Sequence, residues 1–275
     1  RMGGDCLYTG CVPSKALLKT AKVVSQIRNA RNYGIRQSSF ELDFADVMER
    51  VQRVIRTIEP HDSPERYAGL GVECLQGEAK IVSPWEVDIR SGTGETRRLS
   101  TRSIVIAAGA RPFVPPIPGI ENMDCLTSDT VWALRRLPAR LMVLGGGPIG
   151  CELAQAFARL GSKVTQVEML PRLLVREDPE ISDLVMKKFA AEGVEVRVGH
   201  KAKAFLREGG EKVLVCEHAG TEVRIAFDEV LCAVGRVANT TGYGLEELGI
   251  PTTKARTVET NEFLQTIYPN IYACG

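Results

Sequence analysis

The sequence predicts an α/β fold, because short apolar runs that suit buried strands alternate with helical patterns. Residues 140–144 form such a run, a glycine-rich turn follows over residues 145–150, and a helical pattern covers residues 151–160. A second apolar run over residues 162–168 completes a strand, helix, strand unit, and the two strands of such a unit are parallel. These observations predict a doubly wound parallel sheet of the Rossmann type.

Further elements precede this unit. Helical periodicity extends over residues 15–31 and 44–59. A proline-rich segment at residues 112–119 predicts an extended connector. Short apolar runs separated by Gly77 and Pro84 predict three strands, at residues 72–75, 79–82 and 85–90.

The composition is that of a globular protein whose net charge is too small to favour binding to a highly charged partner. The 275 residues are 44% hydrophobic, enough to bury one large or two ordinary domains. The 35 basic and 34 acidic residues give a net charge of +1, which argues against nucleic acid or an anionic membrane as a partner. No apolar run approaches the ~20 residues that cross a bilayer, and the first residues lack a secretion-signal pattern. We therefore expect a cytoplasmic protein.

Two cysteines five positions apart, Cys6 and Cys11, give the clearest indication of chemistry. In a regular helix their Cα atoms would lie about 8.6 Å apart, beyond the ~7 Å that a disulfide spans, so pairing needs a bent backbone. Neighbouring glycines supply that freedom, and a helix that opens at Pro13 follows the second cysteine. The positive end of this helix and nearby Lys15 favour the thiolate. The run therefore indicates a reversible redox disulfide.

Two other interpretations of this pair are a static structural disulfide and half of a zinc site. A cytoplasmic chain disfavours structural disulfides, and zinc-binding cysteines are usually about two to four residues apart. The other six cysteines are scattered without a second closely spaced pair, so we expect reduced core or strand residues and no metal site. They are Cys74, Cys125, Cys151, Cys216, Cys232 and Cys274.

The glycine turn has the spacing of a dinucleotide-binding fingerprint. Gly145 permits the turn, Gly147 lets a pyrophosphate approach the backbone, and Gly150 lets the helix pack closely on the strand. Glu168 ends the second strand, where a carboxylate accepts hydrogen bonds from adenosine ribose hydroxyls and repels a 2′-phosphate. NADH is therefore predicted in preference to NADPH, the other interpretation being a glycine turn without a ligand.

The run Gly-Gly-Asp-Cys-Leu-Tyr-Thr-Gly-Cys-Val-Pro-Ser-Lys at residues 3–15 resembles the redox signature of the class I pyridine nucleotide-disulfide oxidoreductases. This family includes dihydrolipoyl dehydrogenase, glutathione reductase and mercuric reductase, and nearly the whole chain follows its pattern. The resemblance implies a flavoenzyme that passes electrons between NAD(P)H, FAD and a Cys6–Cys11 disulfide. Cys11 would face the flavin and Cys6 would exchange with substrate. Tyr8 stands where many relatives carry a smaller or amide side chain.

The resemblance also assigns residues around the flavin. It pairs Glu152 with Lys15 where nicotinamide meets flavin. The Ala79 backbone would contact the flavin adenine, and an ordinary edge turn is the other interpretation of that segment. Gly109 would end a strand near FAD, although Ala108 replaces the threonine that is usual there and removes a hydroxyl.

On the nicotinamide side, the resemblance places Gly235 near the cofactor, at the end of the strand that closes the domain. Met169 stands where NADPH-preferring relatives commonly carry an arginine, which agrees with a preference for NADH. Arg172 and Arg176 lie close to this position in the sequence, where exposed residues leading to a helix are the plainer interpretation.

The resemblance divides the chain into three segments. We expect a partial FAD-binding domain with the redox disulfide at residues 1–117, an NAD-binding domain at residues 118–238, and a return segment toward the FAD domain at residues 239–275. The family's first glycine fingerprint and its dimerisation domain lie outside this pattern, so the flavin domain is incomplete. We therefore expect an internal fragment of a homodimeric enzyme.

The expected activity of the intact enzyme is electron transfer to or from a small disulfide or dithiol, with lipoamide as the first candidate. Reduction of a metal ion, as in mercuric reductases, is the second. A third possibility is a noncatalytic NAD-binding remnant. The family's proton-transferring histidine belongs to the dimerisation domain, and none of the three histidines here matches its motif; they are His61, His200 and His218.

Overall fold

The computed structural model describes residues 2–274. Within that range the helices are α1 (Gly4–Tyr8), α2 (Cys11–Arg28), α3 (Phe44–Ile58), α4 (Pro64–Gly69), α5 (Pro148–Leu160) and α6 (Pro179–Ala191). Short 3-10 helices cover Ala30–Tyr33, Glu59–Asp62, Ile120–Asn122 and Val131–Ala133. The first strands are β1 (Glu78–Ser83), β2 (Glu86–Arg90), β3 (Thr96–Ser100), β4 (Ile104–Ile106), β5 (Ala110–Pro112), β6 (Arg140–Leu144) and β7 (Lys163–Val167). The later strands are β8 (Glu195–Arg197), β9 (Lys201–Glu208), β10 (Glu211–His218), β11 (Thr221–Phe227), β12 (Glu229–Cys232), β13 (Arg236–Ala238) and β14 (Ile271–Ala273).

The chain divides into two compact units. The first is formed by residues 3–61 and 112–235, and the second mainly by residues 62–111 and 236–274. Each unit therefore combines an early and a late part of the sequence. The domain limits at residues 117 and 238 stay a prediction, because compactness alone does not assign a cofactor to a unit.

The first unit is built on a four-stranded parallel sheet in the order β12, β6, β7, β8. The predicted strand, helix, strand unit is confirmed: β6 and β7 pair in parallel and α5 connects them. Successive residues of β6 enter different cores, with Leu141 and Val143 on one face and Met142 and Leu144 on the other. Strands buried on both faces are typical of parallel sheets.

Helices α2 and α5 pack side by side and run in the same direction. Near their starts Lys15 contacts Glu152, and toward their ends the Arg28 Nη1 donates to the Arg159 carbonyl at 2.7 Å. Apolar side chains fill the space between them, among them the fully buried Leu17, Leu153 and Phe157. The N-termini of the two helices therefore lie on the same side of the first unit.

The opposite face of the parallel sheet is covered by an antiparallel sheet in the order β11, β10, β9, which was not predicted. Its core contains Phe205 and Phe227 in an edge-to-face contact with ring centroids 5.9 Å apart. These strands alternate apolar and charged residues only in part, as in β9, where the apolar Phe205 and Leu206 are adjacent. Strict alternation is the signal of a half-buried strand, so partial alternation gives a weak prediction.

The second unit contains the antiparallel sheet β1, β2, β3 and a parallel pair of β4 with β14. Its core is small and includes Ile81, Ile106 and Ile271. The strands predicted at residues 79–82 and 85–90 are confirmed, whereas residues 72–75 form no strand. That segment is largely exposed, so the apolar residues that suggested a strand gain no buried face.

No helix within the described part of the chain combines the length and the apolar character that a membrane span requires.

Candidate functional site

The backbone around the two predicted redox cysteines turns back on itself. Helix α1 holds Cys6 and α2 begins at Cys11, and the Gly10 N–H closes the turn by donating to the Asp5 carbonyl at 2.5 Å. A Cβ on Gly10 would lie 2.9 Å from that oxygen and 3.4 Å from the Cα of Cys6, so only glycine fits. The predicted bent backbone is confirmed. Both cysteines are exposed.

Cys11 is the first residue of α2, an 18-residue helix. The predicted opening at Pro13 is two residues late, because the Ser14 N–H already donates to the Gly10 carbonyl at 3.1 Å. Pro13 lies in the first turn, where a missing N–H costs nothing. Cys11 therefore occupies the end of the helix where the peptide dipoles are positive.

A buried tryptophan holds the turn between the two cysteines. The Trp132 indole N–H donates to the Thr9 carbonyl at 2.9 Å and to the Ser128 carbonyl at 2.6 Å. Trp132 is only 5% exposed, so its hydrogen bonds are shielded from water and strengthened. The turn is thereby tied to the segment that leads into β6.

Trp132→Phe is expected to destabilise the first unit by about 1–3 kcal/mol, because it removes the buried donor that serves both carbonyls. The same change should alter the rate at which Cys11 reacts with an alkylating reagent, since the turn loses an anchor. Denaturant unfolding and timed alkylation measure the two effects. Trp85→Phe is the matched control, because Trp85 is 55% exposed; equal stability of the two variants would contradict the anchoring role.

A second hydrogen bond holds the loop from the side of α3. The Tyr8 hydroxyl donates to the Glu59 Oε1 at 2.8 Å, across 51 positions of sequence. Tyr8 is half-buried and packs against the core of the first unit. Tyr8, which stands where many relatives carry a smaller or amide side chain, is thus held in place by a hydrogen bond to Glu59.

The pairing that the resemblance implies between α2 and α5 is present. The Lys15 Nζ lies 2.5 Å from both carboxylate oxygens of Glu152. The two side chains are 60% and 39% exposed, so water screens the pair and its contribution to folding is small. The contact therefore positions the two helices: it brings the start of α2, at Cys11, next to the start of α5, after the glycine turn.

The three fingerprint glycines have distinct surroundings. Gly145 has a φ of 114°, and a Cβ there would lie 2.5 Å from the Ala233 carbonyl oxygen. A Cβ on Gly150 would lie 2.4 Å from the Gly145 oxygen, whereas a Cβ on Gly147 would have no atom within 4 Å. The turn and packing roles are confirmed. The open side of Gly147 is where a pyrophosphate would approach, and that role stays a prediction.

Glu168 ties the end of β7 to the glycine turn. Its Oε2 accepts the Gly146 N–H at 2.6 Å, and its Oε1 accepts the Leu170 N–H at 2.8 Å. A Cβ on Gly146 would lie 2.8 Å from the Leu173 side chain and 2.9 Å from the Glu168 side chain, so a larger residue there would have to displace one of them. Each carboxylate oxygen keeps a second lone pair, which leaves acceptors for ribose hydroxyls.

The other predicted cofactor residues lie at exposed backbone positions. Gly235, in the first unit, has a φ of 136° and no atom within 4 Å of a Cβ built on it. In the second unit, Gly109 has a φ of 70° and the same open surroundings. The Asn239 side chain and N–H donate to the carbonyls of Ala108 and Gly109, at 3.0 and 2.9 Å. Ala79 is an exposed residue of β1.

Three of the remaining cysteines, Cys151, Cys216 and Cys232, are buried, unlike the exposed pair. Burial raises the pKa of the Cys151 thiol and of the Cys216 thiol to about 11 in each case. Both residues belong to hydrophobic cores, as the sequence predicted. Over the residues that the structure describes, no group of three or more His, Cys, Asp and Glu side chains is arranged to hold a metal ion.

Sequence reasoning missed two features of this region: the Trp132 anchor and the close contact of Gly146 with Glu168. A signal for Gly146 was present, since three consecutive glycines begin at Gly145. The Trp132 anchor joins residues 123 positions apart in the sequence, and no local pattern indicates such a contact.

The loop that carries Cys6 and Cys11 lies beside the start of α5, in a βαβ unit with a dinucleotide-binding glycine turn. This combination is typical of the class of nucleotide-dependent disulfide oxidoreductases. The chain belongs to the pyridine nucleotide-disulphide oxidoreductase family, whose model matches residues 2–275. The resemblance drawn from the sequence is thereby confirmed, and so is the fold class. The family uses FAD and pyridine nucleotides.

Individual relatives agree with this assignment. The chain is 33% identical to the mercuric reductase of Lysinibacillus sphaericus over 274 residues, covering 100% of this chain and 49% of the relative. It is 32% identical to the dihydrolipoyl dehydrogenase of Chlamydia muridarum over 281 residues, covering 99% of this chain and 58% of the relative. The chain thus spans about half the length of the curated relatives it matches.

A solved structure shares the fold. The HOCl-induced flavoprotein disulfide reductase RclA from Escherichia coli superposes with a TM-score of 0.83 at 27% identity. The match covers 99% of this chain and 57% of the RclA chain.

The described residues fit a pyridine nucleotide. The open side of Gly147, the N-terminus of α5 and the lone pairs of Glu168 match a pyrophosphate and a ribose. For flavin, Gly109 of the second unit offers an open backbone position, because a Cβ built there would meet no atom within 4 Å.

Proposed function

We propose that this chain carries the redox centre of an FAD-dependent enzyme that moves electrons between NADH and a small disulfide or dithiol through Cys6 and Cys11. The observation that carries the proposal is the contact between Lys15 and Glu152, at 2.5 Å. It joins the helix of the dithiol loop to the helix of the glycine turn. The starts of the two helices therefore lie close together in the first unit, which supports a site that serves both the thiols and the nucleotide.

Each cofactor has residues suited to hold it. Gly145, Gly147 and Gly150 with the N-terminus of α5 would hold the NADH pyrophosphate, and Glu168 would hold its ribose. Lys15 in the first unit, and separately the backbone at Ala79 and Gly109 in the second, would contact flavin. FAD, when bound, supplies the two-electron chemistry that couples a pyridine nucleotide to a disulfide.

The two cysteines divide the thiol chemistry. In the reduced state the Cys6 thiolate attacks a sulfur of the substrate disulfide, forming a mixed disulfide and releasing one substrate thiolate. The Cys11 thiolate then attacks the Cys6 sulfur, closes the Cys6–Cys11 disulfide and releases the second substrate thiolate. Exposure of both thiols permits this exchange, and the turn closed at Gly10 supports their pairing.

The substrate is proposed to be a lipoamide-type disulfide. Mercuric ion is the second candidate, because relatives named mercuric reductase and dihydrolipoyl dehydrogenase match at similar identity, 33% and 32%. Two exposed thiols also suit a soft metal ion. For the full-length enzyme, a homodimer is proposed by resemblance.

Lys15→Met tests the proposal. The variant should lower NADH-dependent disulfide reduction by about 10-fold or more, because the ammonium between the two helix starts is lost. Its free energy of unfolding should change by less than about 1 kcal/mol, since the pair is exposed. Lys19→Met is the control, because Lys19 is an exposed residue one turn further along α2. Equal activity of the two variants would argue against the proposed site.

The nucleotide preference gives a separate prediction. kcat/KM should favour NADH over NADPH by about 10-fold or more, because the Glu168 carboxylate repels a 2′-phosphate. Met169→Arg should narrow that ratio by supplying a positive charge beside the ribose. Leu184→Arg is the matched control, since Met169 and Leu184 are both 63% exposed. A native preference for NADPH would contradict the assigned role of Glu168.

A further inference from the structure

A fully buried amide side chain contacts the glycine turn from β7. Gln166 is 0% exposed. Its Nε2 donates to the Gly145 carbonyl at 2.9 Å and lies 3.5 Å from the Cys151 Sγ. The reverse amide orientation would set the carbonyl oxygens of Gln166 and Gly145 against each other, so the contact fixes the orientation of the side chain. Gln166 therefore holds the turn through its donor.

Stability alone does not account for an amide at this position. Among the residues that the structure describes, none offers a hydrogen-bond donor to the Gln166 Oε1. A buried polar atom without a partner lowers stability. The nearby β7 residues Val164 and Val167 are apolar and 0% exposed, so the surrounding core accepts apolar side chains. What Gln166 adds over an apolar residue is the hydrogen bond to Gly145.

Gln166 and Glu168 hold opposite ends of one peptide group. The Gly145 carbonyl and the Gly146 N–H belong to the same peptide group, which is planar and rigid. The Gln166 Nε2 donates to its oxygen at 2.9 Å, and the Glu168 Oε2 accepts its N–H at 2.6 Å. The orientation that satisfies Gln166 therefore also points the N–H at the Glu168 carboxylate.

This peptide group lies between two glycines, which give it little restraint of their own. Gly145 already has a φ of 114°. If the group turned over, its carbonyl would face the Glu168 carboxylate, and that carboxylate would lose one of its two N–H donors. The other donor, the Leu170 N–H at 2.8 Å, would remain. A fixed Glu168 carboxylate therefore needs the peptide to be held from its other end.

We propose that Gln166 is a positioning residue for the nucleotide. Through the Gly145–Gly146 peptide it orients the Glu168 carboxylate toward the adenosine ribose and so contributes to the preference for NADH over NADPH. Gln166 is fully buried, so its effect on the ligand passes through the peptide. The inference rests on the proposed nucleotide site at the glycine turn.

Hydrogen exchange of the Gly146 N–H tests the link between Gln166 and Glu168 without any nucleotide. Gln166→Met keeps the length of the side chain and removes the donor. Exchange of the Gly146 N–H, followed by NMR, should become about 10-fold faster or more, because the peptide is then held only at its N–H. Thr165→Val is the matched control: Thr165 is the adjacent residue of β7, and its hydroxyl donates to the Glu195 Oε2 at 3.1 Å on the opposite face. Unchanged exchange in Gln166→Met would overturn the inference.

Nucleotide binding tests the consequence. In Gln166→Met the Kd for NADH should rise about 10-fold, and the ratio of the Kd for NADPH to the Kd for NADH should fall. The urea midpoint of unfolding should change little, because the variant also removes the unpartnered Oε1. Thr165→Val should bind both nucleotides as the unaltered protein does. Gln166→Leu, which also lacks a donor, replaces Gln166→Met if that variant fails to fold.

A double-mutant cycle shows whether Gln166 acts through Glu168. In a Glu168→Ala background, Gln166→Met should cause no further change in the ratio of the two Kd values. Additive effects of the two substitutions, or an unchanged ratio in Gln166→Met alone, would overturn the inference and leave the nucleotide site standing. Absence of NADH binding by the unaltered protein would instead overturn the proposed nucleotide site, and this inference with it.

Discussion

Replacing Cys11 with serine is expected to lower NADH-dependent disulfide reduction by at least about 1,000-fold, because a serine hydroxyl cannot cycle between thiol and disulfide. Folding should be affected little, since Cys11 is exposed at the first position of α2. The reduction of lipoamide, followed through the consumption of NADH, measures the loss. Cys6→Ser should cause a loss of similar size, because substrate exchange then lacks its nucleophile.

The control for these variants is Cys274→Ser, which removes an exposed thiol from the second unit. It should keep full activity. NADH affinity should also be unchanged in Cys11→Ser, because the glycine turn and Glu168 are intact. Full disulfide reduction by Cys11→Ser would contradict the role assigned to this thiol.

Substitutions at Gly147 and Gly150 are expected to impair the protein in different ways: the first should weaken NADH binding, and the second should lower stability. Gly147→Ala should weaken NADH binding by about 10-fold or more, which equals at least about 1.4 kcal/mol, because a methyl group would occupy the open side of the turn. Its stability should stay within about 0.5 kcal/mol of the unaltered protein, since Gly147 has an ordinary φ of −78°. Equilibrium binding of NADH and denaturant unfolding measure the two quantities.

Gly150→Ala should instead destabilise the first unit by about 1–3 kcal/mol, as overpacked sites do. The added Cβ would lie 2.4 Å from the Gly145 carbonyl oxygen, and backbone atoms cannot move aside without parting α5 from β6. The contrast between the two variants is the test. Unchanged NADH affinity in Gly147→Ala would contradict the proposed pyrophosphate site, whereas lost stability in both variants would show that the turn is merely structural.

Much of the first unit could be predicted because its signals are local. The βαβ unit combines a buried strand, a glycine turn and a helix within residues 140–168, so each element supports its neighbours. The bend between Cys6 and Cys11 followed from the reach of a disulfide and the presence of Gly10. The contact of Lys15 with Glu152 came from family resemblance, since no local pattern links residues 137 positions apart.

The features that sequence reasoning missed depend on long-range packing. The antiparallel strands β9–β11 alternate charged and apolar residues too irregularly to be recognised alone. No local pattern in the sequence assigns a role to Trp132, and only the fold brings its indole N–H to the Thr9 carbonyl. The strand prediction for residues 72–75 was wrong for the converse reason. The local pattern suits a strand, but the fold leaves this segment largely exposed.

The most direct test of the redox centre is differential alkylation of Cys6 and Cys11 before and after NADH is added, without oxygen, to protein supplied with FAD. If Cys6 and Cys11 form the redox disulfide, both cysteines are protected from alkylation in the oxidised protein and become alkylated after NADH is added. If NADH binds while the labelling of Cys6 and Cys11 stays the same, the chain is a nucleotide-binding protein without this redox function.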